Sequence, residues 1–186
     1  MSSQPASSPI AASPLAHTAP LALHPIDVER LAPGGAPGEP RRVMLFAALQ
    51  ALSGPRIWRH GGRGPDAWDW LGFVRACAAV VFEACLDADG PPPDLAGYAP
   101  SWTEGPSPDA AAELLAQWGL VRRELAAVRP GDVVLFAMPA AHAGVVTAVD
   151  AERGVRLAHA WWGRALCETW LDDWWRARAV AAYGWT

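Results

Sequence analysis

Two histidines and the start of a helix could together form the reactive centre of a hydrolase. His142 and His159 lie on or beside neighbouring predicted strands, and the predicted helix 69–86 begins next to Trp70. In cysteine hydrolases a thiol at a helix start ionises readily, because the helix dipole favours the thiolate. One imidazole takes the proton, and a further polar group holds that imidazole in place. The spacing therefore indicates this arrangement, with both imidazoles facing the helix start.

Trp70 stands where this chemistry requires the nucleophile. Its indole offers one N–H donor and no nucleophilic heteroatom. The indole is also much larger than a thiol, so we expect it to fill the space that a substrate carbonyl needs. The sequence thus predicts a hydrolase-like site from which the attacking group is missing.

None of the three cysteines is a convincing replacement. Cys77 lies seven residues further along the same helix, which is about 10 Å at about 1.5 Å per residue. A base must come within about 3 Å of the atom that it activates. Cys85 lies still further along the helix, and Cys167 falls on a predicted strand beyond His159. We interpret all three as small buried hydrophobic side chains.

The sequence predicts an α+β domain over residues 40–186, whose helices and strands must position these residues. The helices come first, and an antiparallel sheet of five or six strands follows them. Apolar residues at helical spacing and helix start signals predict three helices, over residues 41–52, 69–86 and 107–126. Turn residues separate five predicted strands, over residues 132–138, 144–149, 155–160, 165–170 and 179–185.

Composition narrows the classes of function. The 186 residues carry a net charge of −4, so nothing favours nucleic acid or an anionic membrane. No apolar run is long enough for a membrane span, and the N-terminus lacks the pattern of a secretory signal. The cysteines show neither a disulfide framework nor metal-ligand spacing. We therefore expect no metal and no organic cofactor.

Residues 1–39 form a separate region, rich in Ser, Pro, Ala and Gly. This composition predicts a flexible arm that cannot bury enough apolar surface to order itself. A short apolar patch, Leu21-Ala22-Leu23 with Ile26, could dock on another surface. The domain boundary is placed at residue 40.

Several motifs occur in an order that resembles one family. The helix start reads Asp69-Trp70-Leu71-Gly72-Phe73-Val74-Arg75, where the family has Asp-Cys-Leu-Gly-Leu-Val-Arg. The other matching segments are Trp58-Arg59-His60, a loop with Tyr98, Trp102 and Glu104, Pro130-Gly131-Asp132-Val133-Val134-Leu135-Phe136, His142-Ala143-Gly144-Val145, Leu157-Ala158-His159-Ala160 and the tryptophan-rich end from Glu168. Together they resemble the NlpC-type cell-wall peptidases, and more narrowly the branch found in tailed phages and gene transfer agents. The resemblance covers residues 41–186.

The resemblance implies a papain-like fold, and the enzymes of this family cut peptidoglycan stem peptides. It assigns His142 to the base position, His159 to the orienting position and Trp70 to the position of the lost nucleophile. Trp58 stands where the family has a tyrosine that helps to shape the oxyanion site, so a hydroxyl is lost there too. By their place in the motifs, the residues expected to contact substrate are Trp58, His60, Asp69 and Leu71.

Plainer interpretations remain open for these residues. The histidine pair could persist because it is hydrogen-bonded in a half-buried site. His60 could simply be solvated, and Asp69 could act as a helix cap. The tryptophans at the C-terminal end could fill the core or form an interface.

Three functions are consistent with the sequence. The favoured one is a catalytically inactive peptidase homologue that serves as a structural or peptidoglycan-binding component of a phage-like tail. In that case it is made in the bacterial cytoplasm, and residues 1–39 contact other tail proteins. The alternative is an active peptidoglycan cysteine endopeptidase with an unrecognised nucleophile or an introduced substitution at Trp70. The third is a binding module unrelated to phage.

Overall fold

The computed structural model describes residues 39–54, 56–62, 64, 66–86, 90–94 and 105–186. Nearly all of the predicted arm and the loop residues Tyr98, Trp102 and Glu104 lie outside this part. The helices are α1 (Pro40–Ser53), α2 (Trp70–Cys85), α3 (Pro108–Gln117) and α4 (Asp173–Arg176). The strands are β1 (Val121–Arg123), β2 (Val133–Ala137), β3 (Ala141–Asp150), β4 (Gly154–Ala160), β5 (Leu166–Trp170) and β6 (Ala179–Gly184). The α+β class predicted from the sequence is confirmed.

The six strands form one sheet in the order β1-β6-β2-β3-β4-β5. All of its strand pairs are antiparallel. This topology places β3 and β4, which carry the two histidines, side by side in the sheet. Five strands fall where the turn signals placed them, and β1 is an addition at one edge.

The third predicted helix is wrong beyond Gln117. Gly119 has a φ of +87°, which ends the helix in a conformation that favours glycine. The chain then forms β1, and Leu125–Ala127 make one 3-10 turn. The apolar spacing continues past this glycine, and that is why the sequence predicted a longer helix.

Helices α1 and α2 cover one face of the sheet. Their buried side chains include Met44, Leu71 and Phe73, and they pack with Val145 and other residues that β2, β3, β4 and β6 direct to this face. The two helices have 14 and 16 residues. In the part of the chain that the structure describes, no helix combines the length and the apolar character needed to cross a bilayer.

The other face of the sheet carries a smaller apolar cluster. Phe136, Leu157, Leu171 and Trp175 belong to it, and Trp175 comes from the short helix α4. Asp172 caps α4 by accepting a hydrogen bond from the backbone N–H of Trp175, at 3.1 Å. The cap stabilises α4, and the packing of its Trp175 on Phe136 helps to bury the second face of the central strands.

Candidate functional site

A cavity of about 210 Å³ lies at the end of the sheet, beside the start of α2. Five of the residues predicted for the site line this cavity, namely Trp58, His60, Asp69, Trp70 and the base-position histidine His142. The turn between β2 and β3 and the residues around Trp161 complete the wall. Leu71, which the motif predicted to contact substrate, is fully buried in the core and does not line the cavity.

Asp69 holds the start of α2 in place. One carboxylate oxygen accepts a hydrogen bond from the backbone N–H of Gly72 at 2.7 Å, and the other accepts from the N–H of Gly61 at 2.7 Å. The side chain is 1% exposed. The interpretation of Asp69 as a helix cap is therefore confirmed, and the same carboxylate ties the preceding loop to the helix.

Trp70 is the first residue of α2 and is 8% exposed. The indole therefore occupies the helix start, where the backbone N–H groups of the first turn have no partner within the helix. A thiol there would gain from the positive end of the helix dipole, whereas an indole has no ionised form to stabilise. The start of α2 therefore keeps the positive end of the helix dipole but has no thiolate at Trp70 for the dipole to stabilise.

Tryptophan rings form much of the remaining wall. The ring of Trp58 meets that of Trp162 edge to face, with centroids 6.4 Å apart. A backbone bridge to Trp68 fixes Trp58, and the adjacent Ile57 bridges to Ala165. The wall is therefore apolar and aromatic at Trp58, where the family that the sequence resembles has a tyrosine hydroxyl.

The two predicted histidines lie in direct contact. Nε2 of His142 is 3.0 Å from Nδ1 of His159, and Nε2 of His159 is 2.9 Å from Oγ1 of Thr169. Their side chains are deeply buried, since His142 is 7% exposed and His159 is 1% exposed. The order His142, His159, Thr169 forms a hydrogen-bonded chain that leads from the cavity towards the edge strand β5.

Burial keeps both imidazoles neutral. It lowers the pKa of His142, with the neighbouring His159 as the second cause, and it lowers the pKa of His159 to about 4. Each neutral ring carries one N–H, so two proton arrangements fit the chain. In one of them, Nε2–H of His142 donates to Nδ1 of His159, and Nε2–H of His159 donates to Oγ1 of Thr169. Nδ1 of His142 then carries no proton and can act as an acceptor. That arrangement is the one that a general base requires.

The histidine rings do not face α2, and this part of the sequence prediction is wrong. Alternation along β3 directs Ala141 and Ala143 to the helical face. His142 therefore points to the other face, where its ring centroid is 5.8 Å from that of Trp175. His159 lies on the same face, with its centroid 4.9 Å from Trp175. His142 and Trp70 reach the same cavity only because it lies at the end of the sheet.

Thr169 is a site residue that the sequence reasoning missed, and Cys167, which was interpreted as a buried hydrophobic side chain, is only partly buried and lies beside His159. Cys167 pairs across the strands with His159, and its sulfur lies 3.7 Å from Nε2 of that ring. Thr169 is closer to the same nitrogen, and burial raises the pKa of the Cys167 thiol. The thiol is therefore protonated at neutral pH. The pairing of β4 with β5 was the signal that could have found both residues.

The other two cysteines are remote from this chemistry. Cys77 is fully buried on α2, and burial raises the pKa of its thiol strongly. Cys85 is the last residue of the helix, and burial raises its pKa as well. Among the described residues, no group of His, Cys, Asp and Glu side chains could hold a metal ion.

The tryptophan-rich end contributes rings to the core and also leaves rings exposed. Trp175 and Trp185 are buried, so they fill the core. Trp162 and Trp174 are 49% and 45% exposed. The guanidinium of Arg178 lies 4.0 Å from the ring centroid of Trp174. Large aromatic surface thus remains accessible beside the cavity.

Comparison with protein-family models finds no model that matches the chain, and comparison with curated proteins finds no similar sequence. The geometry of the site therefore carries the functional argument. Within the described part of the wall, the side chains are aromatic, aliphatic, thioether, imidazole or carboxylate, and none bears a thiol or a hydroxyl.

Proposed function

We propose that this chain is a catalytically inactive homologue of the NlpC-type, papain-like cell-wall peptidases, and that it serves as a structural or peptidoglycan-binding component of a phage-like tail. The motif order supports the family assignment. The observation that carries the loss of activity is the cavity wall, where Trp70 occupies the helix start and no thiol or hydroxyl is found among the described lining residues.

The position of the histidines supports the same proposal. His142 is hydrogen-bonded to His159, and His159 is also hydrogen-bonded to Thr169, so the pair has a structural reason to persist without a nucleophile. They also lie on the sheet face away from α2. A general base must approach the atom that it deprotonates to about 3 Å, and the start of α2 offers no such atom to His142.

The cavity remains suited to binding. Its volume and aromatic wall fit part of a peptide or sugar, with His60 and Asp69 as polar groups at the wall. We expect a peptidoglycan stem peptide to bind here without being cut. The protein would be made in the bacterial cytoplasm and incorporated into a particle, with residues 1–39 contacting other tail proteins.

Titration calorimetry with a soluble stem peptide tests the binding role. Wild-type protein should bind, and Trp162→Ala should weaken binding because it removes an exposed ring from the wall. Trp174→Ala is the matched control, since it removes a similarly exposed ring that does not line the cavity. Equal affinities for all three proteins, or no binding by any, would rule out this cavity as the peptide site.

The alternative function is an active cysteine endopeptidase, and Cys167 is the observation that favours it. Its sulfur lies 3.7 Å from Nε2 of His159. If Trp70 were instead an introduced change, Trp70→Cys alone should restore cleavage. Trp162→Cys is the matched control, because it places a thiol on the same cavity away from the helix start. Cleavage by the first variant alone would support an intact ancestral site.

A further inference from the structure

A second cavity, of about 300 Å³, opens on the sheet face that α1 and α2 leave uncovered. Val128, Val134, Val155 and Leu171 supply much of its apolar wall, and Arg176 is the one charged side chain in the wall as described. An apolar wall with a single guanidinium at its rim fits a short amphipathic segment that carries a carboxylate.

The rim of this cavity is open to solvent. Leu125 is 37% exposed, and the side chain of Arg176 is 56% exposed. Arg176 meets Asp173 one helical turn earlier at 3.4 Å, an exposed ion pair of the kind that contributes little. Both the apolar surface and the guanidinium are therefore accessible to a further partner.

The first turn of α1 lies close to the loop beside this cavity. Helix α1 begins at Pro40, and its first turn lies against Gly131, where an added Cβ would collide with the carbonyl oxygen of Arg41. Gly131 follows Val128 of the cavity wall by three residues. The first turn of α1 thus lies beside the loop that follows Val128 of the cavity wall.

The sequence of that segment complements the cavity. Leu21, Leu23 and Ile26 are apolar, and Asp27 and Glu29 follow them with negative charge. Ile26 lies thirteen positions before Glu39, so the patch can reach about 45 Å from the domain when extended. A domain of this size has a radius of gyration of about 15 Å. Length therefore does not prevent the patch from reaching the cavity.

We propose that residues 21–29 bind in this second cavity of the same chain, with the three apolar side chains against its wall and an acidic side chain paired with Arg176. The tether gives the segment an effective concentration on the order of millimolar, so even weak intrinsic affinity suffices. This contact is independent of the first cavity and goes beyond the proposed function.

Methyl-resolved NMR of the full chain tests the contact. Replacing Leu23 and Ile26 by serine should shift the methyl resonances of Val128, Val155 and Leu171, because those methyl groups lose their apolar neighbours. The matched control is the pair Ile10→Ser and Leu15→Ser, which changes the same region outside the patch. All substitutions precede α1, so the circular dichroism spectrum should remain that of the wild type.

A second variant checks the charge pairing. Arg176→Glu should shift the same methyl resonances in the wild-type background, and adding Asp27→Lys and Glu29→Lys should return them towards their original positions. The proposal would be overturned if these resonances did not change in the Leu23→Ser, Ile26→Ser variant or in the Arg176→Glu variant. Shifts that disappear on dilution together with a dimer seen by analytical ultracentrifugation would also overturn it, because the occupant would then be a second copy.

Discussion

Nε2 of His142 and Nδ1 of His159 lie 3.0 Å apart on adjacent strands, in a site from which water is largely excluded. One ring must donate and the other accept, so the accepting imidazole must be neutral. Thr169 completes the chain at 2.9 Å from the far nitrogen of His159. The pair is thus satisfied within the sheet and needs no thiol to hold it in place.

Acid should destabilise the fold between about pH 6.5 and pH 4. Burial lowers the pKa of His159 from 6.5 to about 4, and it lowers the pKa of His142 well below 6.5. In this window the unfolded chain binds protons at these positions and the folded chain does not, so the free energy of unfolding falls as the pH falls. The difference between the two pKa values of His159 corresponds to about 3 kcal/mol.

Urea unfolding at about pH 7 and about pH 4.5 measures this effect. Replacing His142 and His159 together by glutamine should remove most of the difference between the two conditions. His60→Gln should retain it, because that half-buried loop residue lies outside the pair. An unchanged pH dependence in the double variant would show that other groups cause the acid sensitivity.

Asp69→Ala should cost more stability than the loss of an ordinary cap. The carboxylate is 1% exposed and accepts two backbone hydrogen bonds at 2.7 Å, so we expect a loss of about 2 to 3 kcal/mol. Ser107→Ala is the control, because Ser107 caps α3 through one exposed bond of 3.2 Å, and about 1 kcal/mol is expected there. Chemical denaturation measures both, and similar losses would contradict the tie between α2 and its preceding loop.

Cys167 should react slowly with iodoacetamide at neutral pH. Burial raises the pKa of its thiol, and Thr169 is closer than Cys167 to the imidazole nitrogen that the thiol would use. Peptide mapping by mass spectrometry as a function of pH should show no inflection below about pH 8.5. An inflection near or below pH 7 that His159→Ala abolishes would instead identify Cys167 as an activated nucleophile.

Helix α2 and its cap could be predicted because several local signals agree. Asp69 precedes an apolar stretch with helical spacing, and the observed helix spans Trp70–Cys85. The end of α3 could not be predicted in the same way. The apolar spacing continues past Gly119, and only the positive φ of that residue shows that the helix has ended.

The sequence also could not tell which face of the sheet carries the histidines. Small or apolar residues flank His142 on both sides, since Ala141 and Ala143 pack under the helices and Val146 packs on the other face. When both faces of a strand are buried, the alternation that distinguishes inside from outside is lost. The choice of face depends on tertiary packing against Trp175, which lies far along the chain.

The pairing of β4 with β5 was hidden for a related reason. A two-residue turn at Gly163 and Arg164 would place His159 opposite Glu168. The observed turn is centred on Gly163, with a φ of +68°, and places His159 opposite Cys167. A register change of one residue exchanges the two faces of a strand. The proximity of Cys167 and Thr169 to the imidazole depends on this difference.

We propose that the wild-type chain retains a peptidase-like cavity and lacks a nucleophile in it. The most direct test incubates the full-length protein with peptidoglycan stem peptides and measures the appearance of new amine termini. We predict no release above the level of a heat-denatured sample, both for the wild type and for His142→Ala. Release by the wild type that His142→Ala abolishes would contradict the claim, because it would require an attacking group within reach of that imidazole.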